Sequence, residues 1–264
     1  MKRIIGSVVV ALAVVFLASP AFAQRRHNPL EGQPAIRHRL ELRSLRFEVT
    51  PFAGFTMLND FNNTAFGGVK LEYHLTDWIG IGGLFGGGAA VGTGLKDQIE
   101  QTLFDSGDLK GGPTKTCADA AMNHVAYFAA GQVELSPFGG KFAVFSKAFM
   151  NYDFYVDLGV GLVGLANNLG GHPECPSDQY GGMNNDVNNG LKIGPTGAVG
   201  MHWFFNKFVA LDLSYRAIVI KDNPSGRDTN GDKVVNSDDL KFGPKNFITL
   251  GLAFYLPADA EISR

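Results

Sequence analysis

Outside residues 1–23 the chain has no apolar run approaching the roughly 20 residues that a membrane-spanning helix requires. Any crossing of a bilayer must therefore use strands, and only a barrel closed on itself satisfies the backbone of strands in lipid. Charge of one sign is equally scarce. Lys and Arg number 23 against 25 Asp and Glu, which leaves no basic footprint for nucleic acid. Catalytic signatures are missing too: there is no GxSxG elbow, no HExxH, no phosphate loop, and no Cys–His pairing that export would leave reduced. No catalytic residue is assigned, and an enzyme is not expected.

What is present begins with export. Lys2 and Arg3 precede the apolar run Ile4 to Ala18, and Ala21-Phe22-Ala23 closes the segment. This is the basic, apolar, small-x-small order of a secretory signal peptide. Its removal takes the formal charge from -2 to -4. Glycine supplies 34 of 264 residues, close to twice the ~7% of average proteins, and narrow barrel interiors and tight turns both call for it. The expected layout is a signal peptide over 1–23, a periplasmic lead-in over 24–43, a barrel over 44–257 and a periplasmic tail over 258–264.

The last strand, Asn246 to Leu256, shows the barrel pattern most clearly. Ile248, Leu250, Leu252, Phe254 and Leu256 point one way, while Thr249, Gly251, Ala253 and Tyr255 point the other. An oily continuous face backed by small residues suits a closed barrel whose outside meets lipid. Thr249-x-Gly251-x-x-Phe254-x-Leu256 also resembles the C-terminal targeting signal of bacterial outer-membrane barrels, which implies the barrel assembly machinery as a partner during biogenesis. Seven earlier alternating stretches make the count eight. They start at Leu45, with a bulge or irregularity expected at Pro51, and continue through about Ala65 to Leu75, Trp78 to Gly86, His124 to Leu135, Tyr152 to Gly164, Leu191 to Phe204 and Phe208 to Ile220. In the fourth, His124 is assigned to the face of Phe128, and Val125 to that of Tyr127. Ser136 to Lys141 reads as a turn, and Phe142 to Asn151 as a small helix or a strand extension. Short connections follow strands two, four and six and long ones follow three, five and seven, as in outer-membrane barrels with periplasmic turns and external loops. The first long connection carries Leu95, Ile99 and Leu103 at helical spacing.

The stretch Arg37-His38-Arg39-Leu40-Glu41-Leu42 leading into Phe47-Glu48-Val49-Thr50-Pro51, followed by Lys70-Leu71-Glu72-Tyr73-His74-Leu75-Thr76-Asp77-Trp78 and Asn151-Tyr152-Asp153-Phe154-Tyr155, resembles outer-membrane β-barrel domain proteins of the myxobacterial type. The resemblance implies an all-β fold, an eight-stranded antiparallel transmembrane barrel of the general OmpA or OmpW kind, and no catalytic residues.

Two sets of residues carry possible chemistry. In Asp228-Thr-Asn230-Gly-Asp232-Lys-Val234-Val-Asn236-Ser-Asp238-Asp239, oxygen ligands fall at positions 1, 3, 5, 9 and 12 and the Val234 carbonyl at 7. This is the ligand order of an EF-hand calcium loop. Lys233 occupies the sixth position, normally glycine. The expected ligands of Ca2+ are Asp228, Asn230, Asp232, Val234, Asn236 and Asp239. The second set, Glu48, Lys70, Glu72, His74, Glu134, Asp157, His202, Asp212 and Arg216, is expected to face the lumen. There it forms either a ladder of ion pairs or the lining of a narrow conducting pore. The leading functional expectation is an outer-membrane barrel that anchors and displays external loops, with membrane lipid around it and a surface or envelope protein as a possible partner. The alternatives are a narrow channel for small solutes and a soluble lipocalin-like carrier.

Cys117 and Cys175 fall in two long connections on one side of the barrel, and export permits them to pair. Intact-mass measurement after alkylation without reductant is expected to find no labelled thiol, the closed span of about 58 residues giving roughly 4 kcal/mol on the chain-entropy picture. Two labelled cysteines would remove the disulfide.

Overall fold

The computed structural model describes residues 43–57, 62–94, 98, 122–144, 148–167, 189–223 and 237–258. They contain eight strands: β1 Arg46–Met57, β2 Asn62–His74, β3 Ile79–Gly92, β4 His124–Val144, β5 Ala148–Ala166, β6 Gly190–Phe204, β7 Val209–Asp222 and β8 Lys241–Leu256. Each pairs antiparallel with the next, and β1 pairs with β8 from Phe47 opposite Leu256 to Met57 opposite Asn246, so the sheet closes into a barrel. Among the described residues no helix is long and apolar enough to cross a membrane. The helical spacing at Leu95, Ile99 and Leu103 lies outside the described residues, as do Cys117 and Cys175.

The alternation read from the sequence governs the barrel wall. Along β1, Glu48, Thr50 and Phe52 are buried in the interior while Phe47 and Phe55 are exposed. β8 repeats the pattern, with Ala253 and Tyr255 inside and Leu250, Leu252 and Leu256 outside. Two turns at one end of the barrel are closed by side chains. The Thr76 hydroxyl accepts the amide of Ile79 at 3.0 Å, and the Asn206 carboxamide oxygen accepts those of Phe208 and Val209 at 2.8 Å. These are the side-chain-to-backbone bonds that make Thr and Asn good turn residues. We call this the turn end. The opposite, loop end faces the connections 93–123, 167–189 and 223–240.

Three expectations need correction. Pro51 makes no bulge: it stays opposite Val69, and the register of β1 against β8 is the same before and after it. Only the pairs of Thr50 and Pro51 with β8 are missing, as expected where proline cannot donate to the ladder. Ser136 to Lys141 is not a turn, and of the two readings of Phe142 to Asn151 the described residues 142–144 and 148–151 take the strand. The β4–β5 hairpin runs on to Val144 opposite Ala148, after an irregularity between Leu135 and Phe138 that absorbs Pro137. In β4 a second shift, between Val125 and Tyr127, inserts Ala126 as an extra residue. A bulge reverses the alternation, so Val125 is buried inside with Phe128 rather than outside with Tyr127. β2, β3 and β8 also begin or end several residues beyond their expected limits, because polar or glycine-rich ends still pair in register.

Candidate functional site in the barrel lumen

The interior is filled in two parts. At its loop end Phe52, Phe66, Phe128 and Phe247 pack with Val125, Val163, Ile218 and Ile220 into one apolar cluster. The Phe66 and Phe128 rings meet edge to face at 4.9 Å, and Phe128 lies 4.5 Å from Phe247. The bulge in β4 is what brings Val125 into this plug.

Towards the turn end the filling is ionic. Lys70 on β2 is the hub, with its Nζ 2.9 Å from Glu48, 3.5 Å from Glu134, 3.7 Å from Glu72 and 3.8 Å from Asp212. It also lies 4.6 Å over the Tyr155 ring, and the Tyr155 hydroxyl donates to Asp212 at 2.6 Å. Arg216 donates to Asp157 at 2.7 Å, to Gln132 at 2.5 Å and to Thr196 at 3.2 Å. His202 stacks on Tyr155 and meets Asp153 through Nδ1 at 2.9 Å, while His74 Nε2 meets Glu48 at 3.0 Å. Glycine makes part of this possible: a side chain at Gly200 would collide with the Tyr155 ring.

All nine charged or titratable residues expected in the lumen are buried there. Two further charged residues outside that expected set are buried there, Asp153 and Arg43, the latter in the expected lead-in. Arg43 is 1% exposed. Its guanidinium reaches Glu134 at 3.0 Å and Asp153 at 3.2 Å and also donates to Ser136. A compact turn carries it there. The amides of Arg43 and Ser44 both bond Asp77, the Arg46 amide returns to the Arg43 carbonyl, and Leu45 adopts a φ of 59°. Arg46 seals the rim by donating to the carbonyls of Pro257, Lys207 and Tyr255. The charge sum was the available signal. The expected inward set held five carboxylates and only two permanent cations, a deficit that called for a further cation near the strand ends.

A cavity at the junction of the two parts, lined by Phe52, Lys70, Leu84, Tyr155, Asp212 and Arg216 among others, amounts to about 10 Å³. That is room for one water. Of the expected calcium ligands, Asp239 is described: it is buried in a short 3₁₀ turn, Ser237–Asp239, just ahead of β8. Asp228, Asn230, Asp232, Val234 and Asn236 lie outside the described residues.

The outside of the barrel carries the opposite chemistry. Leu71, Ile81, Phe85, Leu158, Val160, Leu213 and Leu250 are among the exposed large apolar residues of its wall, with Trp78, Phe138 and Phe205 exposed at the turn end. In water each such side chain forgoes about 1.5–3 kcal/mol of burial. A closed barrel with a buried ionic network inside, an apolar wall and aromatic residues at the margin is a transmembrane β-barrel of the bacterial outer membrane. No family model matches the chain, and no curated protein matches it. Among solved structures it is similar to the outer membrane protein OprG from Pseudomonas aeruginosa, with 10% identity over 81% of this chain and 97% of that one and a TM-score of 0.41. It is also similar to Ail, the attachment invasion locus protein of Yersinia pestis, with 10% identity over 81% and 99% and a TM-score of 0.36. Neisserial surface protein A gives 10% identity over 80% and 97% and a TM-score of 0.33. At these scores the architecture rests on the barrel's own pairing.

Removing one partner from a buried ion pair leaves an uncompensated charge. Arg43→Met is therefore expected to lower the unfolding free energy by about 3–5 kcal/mol, measured by reversible urea unfolding in lipid or detergent, with Arg43→Lys losing less. A loss below ~1 kcal/mol would remove Arg43 from the lumen network.

Proposed function

We propose that this barrel is a closed anchor: it fixes the chain in the outer membrane and holds its long connections on the external side for a structural or surface-binding role. The observation that carries the reading is the filled lumen, aromatic at one end and ion-paired at the other. A channel needs a continuous wet path, and a lipocalin-like carrier needs a ligand chamber. Against both stand the packed rings at one end and the ion pairs at the other, with a cavity at their junction that has space for one water. The reading assigns no catalytic role to any residue. Membrane lipid is the surrounding partner, the barrel assembly machinery is the expected partner in biogenesis, and a surface or envelope protein is the expected partner of the external connections. The affinity with myxobacterial-type barrel proteins belongs to the same proposal and rests on the sequence stretches that resemble them.

Planar-bilayer recording with the purified protein is expected to show no discrete openings at neutral pH. Reproducible single-channel steps would replace the anchor with the narrow channel.

The second element of the proposal is calcium at Asp228, Asn230, Asp232, Val234, Asn236 and Asp239. Several carboxylates wrapped round one point repel one another without a cation. What supports the reading is the ligand spacing of the segment together with the short turn that carries the buried Asp239 just ahead of β8. With Asp at position 12 and Lys233 at position 6, the expected affinity is that of weak extracellular modules, ~10⁻⁴ to 10⁻³ M. Calorimetric titration of the folded protein in detergent is expected to give a calcium heat that disappears in Asp228→Ala and Asp232→Ala. Absence of heat at millimolar calcium, or equal heat in both variants, would exclude the site and leave the anchor reading intact.

A further inference from the structure

One part of the lumen is short of positive charge. Glu72, Glu134 and Asp157 are 2%, 1% and 0% exposed, and a carboxylate oxygen from each lies within 4.8 Å of the other two. Their cations are all shared. Arg43 also serves Asp153, and Lys70 also serves Glu48 and Asp212. Arg216 divides its donors among Asp157, Gln132 and Thr196. Glu72 fares worst, with Lys70 at 3.7 Å and the Gln132 amide at 3.5 Å.

A second observation points to a ligand. Glu72 Oε1 and Asp157 Oδ1 make no hydrogen bond, and Glu134 Oε2 has only the shared Lys70 ammonium at 3.5 Å, whereas buried carboxylate oxygens are ordinarily bonded. Space for the Glu72 carboxylate is itself built into the wall: a Cβ at Gly80 would stand 2.7 Å from Glu72 Oε1. Clustered anionic oxygens that share too few donors in a low-dielectric interior attract a cation strongly. Lys70 and Arg216, already beside them, limit that cation to a single charge.

We propose that the Glu72–Glu134–Asp157 cluster takes up one exchangeable monovalent cation, a sodium ion or a proton, and that the barrel's resistance to unfolding depends on it. The site is independent of the anchor reading and of the calcium segment, which lies at the loop end. The titratable and charged groups that face it are Glu48 on β1, Lys70 and His74 on β2, Asp153 and Tyr155 on β5, His202 on β6, Asp212 and Arg216 on β7, Tyr255 on β8, and Arg43 at the turn end. β3 faces it with Gly80 and Gly82, which carry no charge.

The test is thermal unfolding of the full barrel in detergent, followed by circular dichroism, in sodium chloride against choline chloride at equal ionic strength and at several pH values across neutrality. It is run beside infrared detection of a protonated carboxyl stretch at neutral pH. A midpoint several degrees higher in sodium, absent in Glu72→Gln, supports a bound sodium ion. A protonated carboxyl band in the wild type, absent in Glu72→Gln, supports a bound proton. Should Glu72→Gln fail to fold, Asp157→Asn serves as the second variant, and the sodium and infrared measurements on the wild type stand alone. Sodium insensitivity together with no protonated carboxyl band overturns the proposal, as does a Glu72→Gln barrel that keeps the wild-type sodium response and band.

Discussion

The pairing of β1 with β8 is the contact on which the rest of the structure depends. An open sheet in lipid would leave a row of backbone N–H and C=O groups without partners, each costing several kcal/mol. Closing the first strand on the last, from Phe47 opposite Leu256 to Met57 opposite Asn246, removes both edges. Closure with eight strands then fixes the interior at about the width of side chains. Inward positions must interlock across that width, which is why large and small residues face one another there. Tyr155 occupies space that Gly200 leaves empty, and Phe128 does the same over Gly86. Closure also sets the polarity, because strands that alternate strictly put one set of residues in the lumen and the other in lipid.

A lumen of this size need not contain ions, so its charged half requires a reason. Burying a carboxylate or an ammonium costs several kcal/mol, and a pair recovers that cost only with good geometry and further hydrogen bonds. The network meets part of this condition. Lys70 stands among four carboxylates and over a tyrosine ring, and Arg216 and Arg43 each bind a carboxylate and a neutral oxygen at hydrogen-bond distance. What the network gains is register. A one-residue slip of β2 would turn Lys70, Glu72 and His74 together into lipid, and each charge near the bilayer middle carries a penalty of kcal/mol size. Aliphatic residues in the same places would tolerate the slip far better. The ionic half therefore specifies the strand pairing, while the aromatic half supplies close packing.

Much of this was legible in the sequence because period-two alternation in a membrane barrel answers to two strong constraints at once. The inward placement of Glu48, Lys70, Glu72, His74, Glu134, Asp157, His202, Asp212 and Arg216 follows from alternation alone. Failures cluster where local geometry departs from the repeat. Val125 was misplaced because one extra residue, Ala126, reverses the faces, and no propensity marks that bulge. Pro51 was given an irregularity because proline removes a donor, yet the loss is confined to the β8 side and the register holds. Arg43 precedes the first alternating residue, so alternation alone places it in the lead-in. Its position depends on a turn whose key contact, Asp77, is 34 residues away in sequence. A contact of that range leaves no periodic trace, whereas the unbalanced sum of inward charges does.

The two-part filling also bears on where recognition can reside. Side chains on the lipid face are selected for apolar character, and those in the lumen for volume and charge balance, so neither surface has much freedom to vary. The cavity where the two parts meet has room for a single water. The connections at the loop end escape both constraints. They hold both cysteines and all the Asp and Asn residues of the calcium-like segment, and their composition answers to neither lipid nor lumen. A filled barrel is the form expected of the proposed anchor, in which specificity would be carried by the loops. It follows that loss of a lumen charge and loss of a loop carboxylate should act on different properties, the first on stability and the second on binding.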